Sequence, residues 1–153
     1  MMRRPVIGMH PWSVVALAGL GVPRVVLHDL GLAGPVANSV LVFGPLAVWI
    51  GWVLWRRVPP VPALVTVGVV YGILLAVTHQ LLWLEAFDGN PPELGGNLAG
   101  RFSPATEQVV LRLASVGSSI VTGAVLGTVS GIVAWVLARI AGRTDPNADA
   151  TRR

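Results

Sequence analysis

The chain contains no cysteine, which removes disulfides, thiolate metal ligands and thiol redox chemistry together, including the cysteine-pair chemistry of small membrane oxidoreductases. It contains no lysine either. All 11 basic residues are arginine, and the abundance of Ala, Gly, Val and Pro suits a high-GC bacterial genome. Charge of any kind is scarce: 12% of residues are charged against 54% hydrophobic, where an ordinary soluble domain carries about 25% charged. A chain of 153 residues cannot hide that much apolar side chain inside a water-soluble globule, so the bilayer is its expected solvent.

Other absences narrow the chemistry. No phosphate loop, serine nucleophile elbow or zincin helix is present, and no two histidines share a helix at the i, i+4 spacing that would bring them together. The sequence pI near 11.4 does not point to nucleic acid, because the arginines fall in short pairs at the ends of apolar runs and form no face.

What is there is a set of four apolar runs, each of the roughly 20 residues that one crossing needs. The first covers residues 5–22 and is broken at Pro11; Ala16 and Ala18 offer an A-x-A-like cleavage site, but His10, Pro11 and Ser13 spoil the apolar segment before it, which favours a retained span. Residues 23–30, with Arg24, His28 and Asp29, are too polar for mid-bilayer and predict a segment lying at the outer interface or dipping into the bundle. Residues 36–55 form the second span, with a kink expected at Gly44–Pro45. Trp49, Trp52 and Trp55 precede Arg56 and Arg57, predicting an aromatic belt and a basic flank at that end. The third span covers residues 61–84, and residues 85–108 read as a surface loop. Ser103, Pro104 and Glu107 are a helix start signal for the fourth span.

That fourth helix carries Ser115, Ser119, Gly123, Gly127 and Gly131, each four positions from the last, a glycine-zipper pattern where another backbone can approach closely. It fits internal packing or a homo-oligomer contact. Gly68 and Gly72 mark the packed face of the third span.

The fold class predicted is all-α, an integral membrane four-helix bundle with a short interfacial or re-entrant segment after helix 1. Residues 1–143 form one four-span domain, and residues 144–153 read as a disordered cytoplasmic tail. Orientation follows from charge. With the N-terminus inside, Arg3, Arg4, Arg56, Arg57, Arg139, Arg143, Arg152 and Arg153 are cytoplasmic, and only Arg24, Arg101 and Arg112 lie outside. Asp29, Glu85, Asp88, Glu93 and Glu107 fall on the outer side with them.

One polar constellation stands out. On a helical wheel His79 falls within about 20° of Gly68 and Gly72, which turns it towards the bundle interior. With Arg24, His28, Asp29, Gln80 and Glu85 on the same side, the chain offers two imidazoles and one or two carboxylates. Such a set suits a base with an orienting acid, or a divalent metal held by His28 and His79; it equally suits an interfacial cap that pairs internally. No cofactor is otherwise predicted. The expected partners are the lipid bilayer and either a second copy of the chain or another membrane protein. Packing signals outnumber catalytic groups, so the expectation is a structural or partner-binding subunit or a small oligomeric transport component. The alternative is a membrane enzyme, or a protein that binds a metal or lipid headgroup at its outer interface.

Overall fold

The computed structural model describes residues 8–142. The readings placed on Arg3, Arg4, Arg143, Arg152, Arg153 and the 144–153 tail lie outside the described residues. The described residues are all-helical, without a strand: α1 (Pro11–Gly19), α2 (Val22–Asp29), α3 (Pro35–Arg56), α4 (Pro60–Leu81), α5 (Trp83–Ala86), a 3₁₀ turn (Gly96–Leu98) and α6 (Pro104–Ile140). Four helical stretches are long and apolar enough to cross a membrane, α1 and α2 together making the first. This is a four-span helical bundle.

Helix α1 begins only at Pro11, later than the apolar run suggests, because the His10 side chain caps it by accepting from the Trp12 backbone N–H. Its other end stops at Gly19, and α2 resumes within three residues. Two contacts explain the break. A β-carbon at Gly21 would sit 2.9 Å from Cδ2 of the Tyr71 ring, so only glycine lets α4 press that close. The Gly21 N–H turns back to the Ala18 carbonyl, and the Leu17 carbonyl, which takes the Leu20 N–H at 3.2 Å, also accepts from the indole Nε1 of Trp49 at 2.7 Å. Trp49 meets Tyr71 edge to face, with centroids 5.8 Å apart. Three helices are thereby joined in the core.

Trp49 is therefore 1% exposed and is not part of the expected aromatic belt. Steps of three residues rotate about 60° around a helix, so the three tryptophans cannot share a face. Trp52 and Trp55 stay at the surface, where the Arg56 guanidinium lies 5.8 and 5.6 Å from their ring centres. Pro45 sits inside a continuous α3.

The tightest packing joins α4 to α6. A β-carbon on Gly72 would lie 2.8 Å from Ile120 Cα, and one on Gly131 would lie 2.9 Å from Val61 Cα. Gly68 nests between Gly123 and Gly127, and Gly127 lies against the Leu64 carbonyl. The two helices run antiparallel, each turn up α4 matched by a turn down α6. The seam is internal to one chain. Real β-carbons do not sit that close to backbone, so any larger residue would force the helices apart and lose dispersion contacts along the seam.

The first described residues and the end of α6 lie at one end of the bundle: Gly8 packs on Val58, and Gly131 on Val61. The segment between α4 and α6, expected to lack structure, carries α5 and the 3₁₀ turn, and Glu107 accepts from the Leu94 N–H to tie it to α6.

Candidate functional site

Helix α2 takes its start from Gly21 and Pro23 and is only 8 residues long. Val25 and Asp29, one helical turn apart, are both buried, with 2% and 6% exposure. The same stripe that packs α2 against the bundle thus carries a carboxylate inward. On the facing helix, His79 projects from the last turn of α4. His79 Nδ1 lies 2.6 Å from Asp29 Oδ2, and His28 Nδ1 lies 3.4 Å from Asp29 Oδ1.

A carboxylate only accepts, so each ring brings an Nδ1–H to it, and Nε2 of each neutral imidazole is left as an acceptor. The short bond to His79 fixes that ring; the longer one to His28 lies near the limit of a hydrogen bond. Exposure is graded in the same order: the side chains of Asp29, His79 and His28 are 2%, 29% and 63% exposed.

These residues border a cavity of about 280 Å³ whose remaining walls are Trp83, Ala86, Phe87 and Ser115. Trp83 is buried and meets Phe87 edge to face at 5.1 Å. Its indole Nε1 is buried without a hydrogen-bond partner. Behind it the Arg112 guanidinium lies 4.8 Å from the ring centre and donates to Gln80 Oε1 at 3.1 Å, while Gln80 Nε2 donates to the Arg112 carbonyl at 3.3 Å.

The structure brings His28, Asp29 and His79 together and leaves the other three sequence candidates elsewhere. Gln80 turns to α6 and pairs with Arg112. Arg24 donates from Nε to Asn38 Oδ1 at 3.2 Å, tying α2 to α3 and making no pair with Asp29. Glu85 is exposed and borders a separate open depression with Leu30, Leu84, Asp88 and Gly89. Among the described residues no three His, Asp or Glu side chains are grouped to hold a metal ion. Both oxygens of Asp29 face imidazole nitrogens, so the carboxylate orients the two rings.

Trp83, Phe87 and Ser115 are wall residues that the polar pattern missed. Ser115 had a signal, because it continues the small-residue row of α6 one turn past Ser119. The α4–α6 register supplied another, since it sets Arg112 opposite Gln80 once the glycines are paired. Chemically, a buried carboxylate that orients an imidazole yields a base, or a binding group for a hydrogen-bond donor. Comparison of the chain with protein-family models, with curated proteins and with solved structures gives no match.

Proposed function

We propose that this is a small multi-pass protein of a bacterial inner membrane, with both termini cytoplasmic, that binds an ammonium-bearing ligand in the Asp29–His79 pocket. The ligand is either a free amine or the amine of a lipid headgroup. The observation that carries this reading is the 2% exposed Asp29 side chain, flanked by imidazoles at 2.6 and 3.4 Å. No arginine borders the cavity among the described residues. An ammonium group would donate to Nε2 of His79, offset the Asp29 charge, and find aromatic walls in Trp83 and Phe87. Glu85 and Asp88, which border a separate depression, would add to the attraction of a cation toward this end of the bundle.

The orientation rests on arginine. Arg56, Arg57 and Arg139 gather at one end, and no acidic residue accompanies them there among the described residues. A cysteine introduced at Asn97 should be labelled from outside the cell; labelling only from the cytoplasm overturns the orientation.

Binding is tested in nanodiscs by following the ¹⁵N signals of labelled histidine during titration with ethanolamine, and in parallel with acetate. Saturable movement of the His79 signal by the amine, absent with acetate and lost in Asp29→Asn, supports the reading. No response to the amine, or an equal response in Asp29→Asn, defeats it. A second reading, as a partner-binding subunit, draws on the exposed Val36, Val40 and Phe43 of α3, which recur along one face.

A further inference from the structure

We propose that the groove between α1 and α4, at the end of the bundle opposite Asp29, holds one anionic phospholipid, with its phosphate on Arg56 and His10 and an acyl chain along Val14, Val15 and Val70. The groove encloses about 630 Å³, within the range of roughly 300–1,000 Å³ typical of small-molecule sites. No carboxylate borders it among the described residues.

The two polar groups at its mouth are both donors. His10 Nδ1 accepts the Trp12 N–H at 3.3 Å, so the neutral ring must carry its proton on Nε2 and present a donor to any further partner. The Arg56 guanidinium rests against the faces of Trp52 and Trp55 at 5.8 and 5.6 Å, which restricts its freedom before a ligand arrives. Beyond the mouth the lining is apolar apart from Thr66, whose hydroxyl is already spent on the Pro62 carbonyl at 2.8 Å. Val70 lies about 15 Å along α4 from Pro60 at a rise of about 1.5 Å per residue, so the floor continues well into the apolar zone. A soluble phosphate would use only the mouth. A phospholipid uses both parts, and charge complementarity at the donors selects an anionic one.

The test is reconstitution in nanodiscs containing equal phosphatidylglycerol and phosphatidylcholine, followed by gentle detergent release and native mass spectrometry. One phosphatidylglycerol should stay bound in preference to phosphatidylcholine, and its retention should fall about tenfold in Arg56→Gln, the loss expected for a charge-assisted hydrogen bond. Val15→Trp alters a position that is 45% exposed and should leave the fold intact; by filling the floor it should reduce retention of both lipids. Equal retention of the two lipids by the unaltered chain overturns the proposal. So does undiminished phosphatidylglycerol in both variants. The amine-binding pocket lies at the other end, so ethanolamine titration of Arg56→Gln should be unchanged, which keeps failure here separate from failure there.

Discussion

The α4–α6 seam and the α3 flank are made from the same kinds of residue and behave in opposite ways. In the apolar window of α4, 44% of residues are buried inside the bundle, against 11% for α3. Both helices carry two glycines. Gly68 and Gly72 lie against the backbone of α6, whereas nothing comes within 4 Å of a β-carbon placed on Gly44 or Gly51. In lipid an apolar surface needs no protein cover, so hydrophobicity does not select which helices associate; close backbone approach does. A glycine is informative when it repeats at one-turn spacing on both partners, and uninformative when it stands on a face that meets only acyl chains.

The largest effect should come from Gly68→Leu. Its side chain would begin inside the space held by Gly123 and Gly127, with backbone on the far side and no flexible group to move. Overpacking typically costs about 1–3 kcal/mol, and a site walled by backbone should lie at the upper end of that range. Thermal unfolding in detergent, followed by circular dichroism, should show a large loss, while Gly44→Leu should not. Comparable losses for the two would remove the distinction between seam and flank.

A smaller effect tests the polar end, where stability and binding meet. Asp29→Ala leaves His79 without the group that orients it; the His79 side chain is 29% exposed and can turn to the cavity, so the loss should be that of one hydrogen bond, about 1 kcal/mol. Asp29→Asn keeps the shape and one acceptor, so it should recover most of the stability while still failing to respond to an amine. If Asp29→Asn binds ethanolamine normally, the carboxylate is structural.

These two cases also mark what could be read in advance. The number of spans and the α6 small-residue row follow from apolar run length and four-residue spacing, which are local. The meeting of His79 with the His28–Asp29 segment needed helical phase together with a topology that puts both at one end of the bundle. The partners of Gln80, Arg24 and Glu85 follow from neither. They depend on register between helices: Gln80 finds Arg112 because the seam glycines set that register, and Arg24 finds Asn38 because α2 resumes as a helix just past Gly21. Trp49 was misplaced for a related reason. Its interior position depends on the Leu17 carbonyl near the end of α1, 32 residues away.

Trp49→Phe measures that link. The ring volume largely survives, so the loss is chiefly one hydrogen bond to the Leu17 carbonyl, about 1 kcal/mol plus a small cavity. Unfolding should shift modestly, and amide exchange at Leu20 and Gly21 should rise before the rest of the bundle opens. Exchange that rises uniformly would mean that the indole does not hold the α1–α2 break.

The smallest change should be Gly51→Leu. Gly51 is exposed in the last third of α3, and a β-carbon there meets open space. Leucine is the better helix former by somewhat less than about 1 kcal/mol, and its side chain can enter lipid without displacing protein. Substitutions away from packed features stay within about 0.5 kcal/mol. The unaltered and altered chains should therefore unfold together and elute at the same size in detergent. A loss of stability or a smaller assembly would have a definite physical source, because a leucine is costly at this position only when another helix occupies the space beside it. That result would identify the α3 face as an interface and raise the subunit reading above the ligand-binding one. Unchanged assembly with an intact response to ethanolamine leaves α3 as the lipid-facing wall of a bundle whose specificity lies in its seam and at its Asp29 end.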